Sequence, residues 1–352
     1  MKKTKINIFH EIRNFNCRDD YISFIKTKTY MNCSEIDNIS RPEHVCAVYC
    51  LGMNLLKKMY RGYLIPVSNQ YEGIIYVTFV EIWTYMSMFH DIGYGYQTYE
   101  PSDDYNPNIV RLIYLGQVVD LLEKMNNEWA TAYNVDELIA YYYYIYQKRV
   151  NENILAGKKV NTEVHEHGIL GGALASVIMR KNQPLIMQGK NSPWYYITLA
   201  TALSIAQHNI WPVDKLDLRE YDIYFSATNV DKNKFVEKNN KLDKKIDLLS
   251  FFLCLIDSID ITKRLTDLEP YNYSLINDVL KQYKIKVFKN LGHTCIRIYA
   301  RAIRTILNNN GLSAVFDKWI FGIRGMGSFL NIKYIEHKND CLDIKIEDHE
   351  IV

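Results

Sequence analysis

Histidine and aspartate side chains recur along the chain, each within or near the end of an apolar helical pattern. The six candidates are His44, His90, Asp91, His167, His208 and Asp257. Burying an imidazole or a carboxylate in an apolar helix costs several kcal/mol unless a partner offsets the loss of water. A shared metal ion is one such partner. A single buried histidine is more often a hydrogen-bonded core residue, but six candidate ligands on five helices favour a metal site.

The segments around these residues predict the helices that position them. Apolar residues at helical spacing predict a helix that begins near Pro42 and carries His44 in its first turn. The run GIIYVTFVEIWTYMSMFHD predicts a second helix, ended by Gly93 and Gly95, with a strand as the competing interpretation because of its aromatic content. The segment EVHEHGILGGALASVIMRK predicts a helix whose small-residue face lets another backbone approach closely.

Two further helices carry the remaining candidates. SPWYYITLATALSIAQHNIWP offers Ser192 as a cap, Pro193 as the first helical residue and Pro212 as the stop. KIDLLSFFLCLIDSIDITKR predicts a buried helix that carries Asp257.

The chain as a whole predicts a mainly α fold with a small α+β C-terminal region. We expect an N-terminal segment over residues 1–40, a helical domain over 41–270 and the mixed region over 271–352. In the last region the pattern predicts a helix near 296–310 and a hairpin around residues 339–340.

Composition limits the class of protein. The 352 residues are 48% hydrophobic and carry a net charge of only +2, so any anion-binding surface must be local. The seven cysteines include no CxxC pair, none lies in a ligand context, and no secretory leader is evident, which predicts reduced thiols in a cytoplasm. Glu72 and Glu81 interrupt the longest apolar stretch, so we expect no membrane span.

In their order, these residues resemble the ligands of the HD-domain metal-dependent phosphohydrolases, which run His, His-Asp, His, His, Asp along a helical bundle. PEHVCAV supplies the first histidine, and FHDIGYG the doublet with its glycine. HGILGGALA is similar to the segment in which a histidine precedes a glycine by four residues, which selects His167 over His165. IAQHNIW and LIDSIDITKR are similar to the segments of the fourth histidine and the final aspartate. The resemblance covers roughly residues 41–270 and implies an HD-domain bundle.

Some features depart from that family. Tyr94 and Gly95 stand where many members have lysine, and the HHE and GYP features of the cyclic-dinucleotide phosphodiesterases are absent. FHDIGYGYQ comes closer to the HDIGHGPFSH stretch of the deoxynucleotide triphosphohydrolases but lacks its proline and downstream histidine. A tyrosine-rich insert over residues 97–160 is expected to shape the substrate pocket.

The ligand set implies two ions. One ion would need only four ligands, His44, His90, Asp91 and Asp257. His167 and His208 then imply a second ion, with Asp91 bridging the pair about 3.5 to 4 Å apart. Imidazole and carboxylate donors suit Mn, Fe, Co, Ni or Zn, and the resemblance implies Mn or Fe. A bridging hydroxide would then attack phosphorus.

Cationic side chains near such a site would stabilise the charge that develops on phosphate. The candidates are Arg180, Lys181, Lys263 and Arg264, each of which is alternatively a solvated helix end. We expect Asp91, His167 and Arg264 to act in catalysis, Arg264 as the basic residue of the family's final segment.

These expectations together predict a metal-dependent phosphohydrolase or phosphodiesterase acting on a small nucleotide. The near-neutral charge disfavours a long polyanion, so nucleic acid is a possible partner but not the favoured one. The alternatives are an HD-type single-strand nuclease, which predicts a basic, aromatic groove, and a non-catalytic HD module that senses a ligand. A helical scaffold with fortuitous histidines is the remaining interpretation.

Overall fold

The protein is represented by a computed structural model. The residues that it describes are 8–59, 64–69, 73–96, 167–182, 193–208, 248–266, 268, 271–290, 293–328, 330–338 and 341–347. Within them the chain is mostly helical, with a small antiparallel sheet near its C-terminal end, as the sequence predicted. Among these residues no helix is both long and apolar enough to cross a membrane. The tyrosine-rich insert 97–160 lies outside the described residues.

The chain divides into two compact units. The first comprises the described residues of Met1–Asp37, Arg41–Met88 and Lys241–Val352, and the second those of Asn38–Ser40 and Phe89–Asn240. The domain boundaries predicted after residues 40 and 270 stay predictions.

The first unit opens with three helices, α1 (Arg18–Thr29), α2 (Ser34–Asp37) and α3 (Pro42–Met59). Helix α3 begins at Pro42 as predicted, because a proline in the first turn withholds no hydrogen bond that the helix needs. Most of α3 is buried, including its polar residues Glu43 and His44.

A β-hairpin and a helix follow, and they correct one prediction. Strands β1 (Leu64–Asn69) and β2 (Gly73–Thr78) pair antiparallel, and helix α4 (Phe79–Phe89) starts directly after β2. The single helix predicted over this run is therefore wrong before residue 79, where the β-branched segment GIIYVT forms a strand. Thr78 and Glu81 mark the junction: Thr78 Oγ1 accepts from the Glu81 backbone N–H at 3.3 Å, and the Glu81 carboxylate accepts from that of Thr78 at 3.1 Å.

The remainder of the first unit combines five helices with four strands. The helices are α7 (Leu248–Ile259), α8 (Thr262–Leu265), α9 (Tyr273–Gln282), α10 (Arg301–Asn309) and α11 (Ser313–Gly325). The strands are β3 (Ile285–Asn290), β4 (His293–Tyr299), β5 (Tyr334–Lys338) and β6 (Cys341–Glu347), in the antiparallel order β3-β4-β6-β5. Ile296 and Ile344 pair across β4 and β6, and both are buried.

The structure settles two predictions in this region. The hairpin around residues 339–340 is confirmed, with Lys338 opposite Cys341. The helix predicted near 296–310 begins only at Arg301, because the preceding alternation of buried and more exposed residues belongs to strand β4.

The C-terminal end of α7 is fixed by two aromatic side chains. The backbone carbonyl of Ile259 accepts a hydrogen bond of 2.6 Å from Tyr283 Oη and one of 3.1 Å from Trp319 Nε1. Both side chains are at most 1% exposed. A carbonyl at a helix end has no partner within the helix, so these bonds satisfy it. The Tyr283 bond attaches α7 to the end of α9, and the Trp319 bond attaches α7 to α11.

The second unit contains a 3-10 turn (Ile92–Tyr96) and the helices α5 (His167–Lys181) and α6 (Pro193–Gln207). Helix α6 starts at Pro193 as predicted, whereas Ser192 lies outside the described residues. It ends at Gln207, before the predicted stop at Pro212. His90 and Asp91 follow α4 immediately and precede the 3-10 turn, so neither glycine 93 nor glycine 95 ends that helix.

Candidate metal centre

Three of the predicted ligands form a buried cluster in the second unit. Asp91 lies between α4 and the 3-10 turn, His167 is the first residue of α5, and His208 directly follows the last residue of α6. Their candidate ligand atoms lie within 4.8 Å of one another, and each residue is at most 5% exposed. Three separate elements therefore bring their ends together at Asp91.

The Asp91 carboxylate is surrounded by imidazole nitrogens. Its Oδ1 lies 3.4 Å from His167 Nε2, 3.9 Å from His208 Nε2 and 3.5 Å from His90 Nε2. The two nitrogens of His167 and His208 are themselves 3.2 Å apart. Most of these separations exceed the usual length of a hydrogen bond, about 2.7 to 3.2 Å.

The spacing fits donors around a common ion. Nitrogen and oxygen ligands bind Zn²⁺ at about 2.0 to 2.2 Å, so two of them are roughly 3.0 Å apart at a right angle and roughly 3.4 Å apart at a tetrahedral angle. The observed 3.2, 3.4 and 3.9 Å lie within or just beyond that range. Asp91, His167 and His208 can therefore hold a metal ion.

The hydrogen bond of His208 defines which of its nitrogens can bind metal. His208 Nδ1 lies 2.5 Å from the Ile205 carbonyl oxygen, which can only accept, so Nδ1 carries a proton. In its neutral form the ring presents a lone pair at Nε2, directed toward Asp91 and His167. An Nδ1–H that donates to a backbone carbonyl is the usual second contact of a metal-bound histidine, and a cation at Nε2 would also balance the charge of the buried Asp91 carboxylate.

The turn that carries Asp91 packs tightly on α5. A Cβ atom at Gly93 would lie 2.2 Å from the backbone oxygen of His167 and 2.9 Å from the backbone nitrogen of Gly171. Only glycine fits there, which explains the glycine two residues after the doublet. The small-residue face predicted for α5 is confirmed at Gly171. The ring of Tyr94 adds a stacking contact to His167, with centroids 3.8 Å apart.

In the first unit, His44 lies between two carboxylates. Its Nε2 is 2.9 Å from Asp257 Oδ1, and its Nδ1 is 2.7 Å from Asp260 Oδ2. Asp260 is held in turn by the Thr262 backbone N–H at 3.2 Å and by the Thr262 hydroxyl. If His44 Nδ1–H donates its hydrogen bond to Asp260, two states are open to Nε2. It is either the second N–H of an imidazolium, donating to Asp257, or a metal ligand that shares a cation with Asp257.

The predicted phosphate-binding cations differ in their surroundings. Lys263 Nζ lies 2.9 and 3.1 Å from the two oxygens of Asp257, beside a predicted ligand. Arg264 instead places its guanidinium near α11, where its Nη2 would be 3.7 Å from a Cβ at Gly322. The side chains of Arg180 and Lys181, like the whole of His165, lie outside the described residues.

A buried acidic group next to His44 was not predicted. Tyr271 Oη lies 3.4 Å from the Glu43 carboxylate, which is 1% exposed. Burial raises the pKa of Glu43, with hydrogen bonds opposing the shift. Burial, followed by the charge of Glu43, raises the pKa of Tyr273 to about 12. The first turn of α3 therefore carries two buried ionisable groups in succession.

Sequence reasoning found the six ligand candidates but missed the groups that orient them. Asp260 was visible as the acidic residue three positions after Asp257, yet no spacing rule connected it with His44. Tyr94 was noted only as a departure from a lysine. Together these features define a buried histidine and carboxylate centre in a mainly helical protein. No protein-family model, curated protein or solved structure matches the chain.

Proposed function

We propose that the chain is a metal-dependent phosphohydrolase of the HD type that cleaves a phosphate ester of a small nucleotide. The observation that carries this proposal is the buried cluster of Asp91, His167 and His208, whose nitrogen and oxygen donors have the spacing of ligands around an ion. The order of all six candidates along the sequence supports the assignment to hydrolysis.

The number and kind of ions are proposed from the donor set. Six ligands exceed the four that one ion needs, which favours two ions, and imidazole with carboxylate favours Mn or Fe over Ca. When bound, such ions would activate water and hold the oxygens of the phosphoryl group.

The residues of the chain would orient the ligands and balance charge. The Ile205 carbonyl keeps the His208 proton on Nδ1, so Nε2 stays available as a donor atom. Asp260 does the same for His44. Of the two candidate cations whose side chains the structure describes, Lys263 and Arg264, Lys263 is the better placed to contact a phosphoryl oxygen, because its ammonium already lies beside Asp257.

Metal analysis of anaerobically purified protein, followed by a screen of phosphate esters with Mn and Fe, tests the proposal. Asp91→Ala should remove metal and turnover together, and His208→Ala should leave about one metal per chain with strongly reduced hydrolysis. His10→Ala, at an exposed histidine, is the matched control. Full metal content and full turnover in Asp91→Ala would contradict the site, and one ion per wild-type chain under saturating Mn would contradict the two-ion assignment.

The same screen separates the alternatives. Hydrolysis of a small nucleotide should depend weakly on salt between about 50 and 200 mM, since few phosphates are contacted. Rapid, salt-sensitive degradation of single-stranded DNA with no turnover of mono- or dinucleotides would favour the nuclease. Metal and nucleotide binding without turnover would favour the sensing module.

A further inference from the structure

Positive charge is concentrated in one stretch of the first unit. Between residues 281 and 333 the sequence contains ten lysines and arginines but a single acidic residue, Asp317. The whole chain has a net charge of only +2, so the remaining sequence is net negative. General lysine richness therefore does not explain the stretch, and such asymmetry is typical of contact with a polyanion.

Helices α10 and α11 present part of this charge to solvent around an aromatic ring. Arg301 and Arg304 are exposed on α10, one turn apart. On α11 the exposed Lys318 and Arg324 lie three residues before and after Phe321, whose side chain is 78% exposed. Residues three or four apart are neighbours on a helix surface, so the phenyl ring has a cation on each side, Lys318 and Arg324, and one exposed carboxylate, Asp317, nearby.

The opposite faces of both helices belong to the core. Ile303 of α10 is buried, as are Val315, Phe316 and Trp319 of α11. The Arg304 guanidinium lies 5.8 Å from the centroid of the Phe316 ring, which links the two helices. The exposed faces of α10 and α11 thus form a surface on a packed support, defined by Arg301, Arg304, Lys318, Phe321 and Arg324.

We propose that this α10–α11 surface binds single-stranded nucleic acid. Arginine and lysine would contact phosphates, and Phe321 would stack on a base, which is the combination that single-strand binding proteins use. A membrane is the less suitable partner, because an interfacial helix needs a broad exposed apolar face and α11 buries its own. The proposal goes beyond phosphohydrolase activity and requires no cleavage of the bound strand.

Fluorescence anisotropy with a labelled oligothymidylate of about 20 nucleotides, in EDTA, tests binding without any hydrolysis. Four phosphate contacts predict a slope of roughly −3 for the logarithm of the binding constant against the logarithm of the salt concentration. The affinity should therefore fall roughly 50-fold between about 50 and 200 mM salt. Absence of binding at the lower salt concentration would overturn the proposal while leaving the phosphohydrolase assignment intact, since the assay contains no metal.

Two variants and one control locate the surface. Lys318→Glu/Arg324→Glu should abolish most of the binding, and Phe321→Ala should weaken it about tenfold through lost stacking. Arg13→Glu/Lys57→Glu changes the net charge equally at exposed positions outside the stretch and should bind like the wild type. An equal loss of oligothymidylate binding in the two double variants would mean a nonspecific effect of net charge and would refute binding at the α10–α11 surface.

Vesicles of phosphatidylserine and phosphatidylcholine provide the competing ligand. We expect oligothymidylate binding to persist in their presence and vesicle binding to be weak. Tight vesicle binding that disappears in Lys318→Glu/Arg324→Glu, with no oligonucleotide binding, would overturn the proposal in favour of a membrane surface.

Discussion

Replacing Gly93 with alanine should separate the turn that carries Asp91 from helix α5. The added methyl group would lie 2.2 Å from the backbone oxygen of His167, where ordinary contacts begin near 3.4 Å. No rotamer can relieve this contact, because both the methyl group and the carbonyl belong to rigid backbone. The turn and α5 must therefore move apart by about 1 Å, which is comparable to overpacking a core and costs about 1 to 3 kcal/mol.

The cost should be visible in stability and in metal binding separately. In urea denaturation of the metal-free chain, Gly93→Ala should lower the free energy of unfolding by about 1 to 3 kcal/mol and leave its slope against urea concentration unchanged. Metal affinity should fall as well, since Asp91 and His167 would no longer have the spacing of ligands around one ion. Titration with Mn, after both proteins have been shown to be folded at the working temperature, measures this second effect.

Gly325→Ala is the matched control. A Cβ at Gly325 meets no atom within 4 Å, and the residue ends helix α11, so alanine there should leave stability unchanged or raise it by up to about 1 kcal/mol. If Gly93→Ala were as stable as the control and bound Mn equally well, the close packing of the turn on α5 would not position the ligands.

Three further predictions follow from buried groups. Asp91→Asn keeps the size of the side chain but removes a buried charge, so the metal-free chain should become more stable and should no longer be stabilised by Mn. An equal Mn-dependent shift of the urea midpoint in wild type and variant would contradict the site. Asp260→Ala should weaken metal binding about 10- to 100-fold because His44 loses the partner of its Nδ1, and Asp260→Asn should restore part of the affinity. Competition with a chelator measures the affinity, and an unchanged value would exclude a positioning role for Asp260. Burial raises the pKa of Cys46 and Cys50, so these two thiols should react with an aromatic disulfide only on unfolding, whereas the exposed Cys17 should react in the native chain. Peptide mapping identifies the labelled residues, and rapid labelling of Cys50 in the native chain would show that α3 opens.

The sequence predicted the helices of the site because their signals are local. Pro42 and Pro193 mark the starts of α3 and α6, and apolar spacing marks their buried sides. The β2–α4 boundary was missed even though Thr78 and Glu81 form a capping box, because an unbroken apolar run shows the same hydrophobicity in a strand and a helix.

The partners of the candidate ligands were much less predictable. His44 and Asp260 are 216 residues apart in sequence, and no periodicity connects positions at that distance. The contact of Gly93 with α5 could be anticipated only as a general property of small residues, without the identity of the facing backbone. Local patterns thus indicate which residues are candidates, whereas the side chains that orient them depend on tertiary packing.

The hydrogen bond that Trp319 donates to the Ile259 carbonyl joins helix α11 to the end of helix α7 and would couple a ligand bound at one helix to a ligand bound at the other. Trp319 on its inner side attaches it to the end of α7, near Asp257 and Asp260, while Lys318 and Phe321 lie on its outer side. A strand bound outside and an ion held by His44 and Asp257 would therefore act on the same helix. Linkage requires that each ligand change the affinity of the other by the same factor. The ratio of Mn affinities with and without oligothymidylate should therefore equal the ratio of oligothymidylate affinities with and without Mn. Trp319→Phe, which removes the indole donor, should bring both ratios toward one.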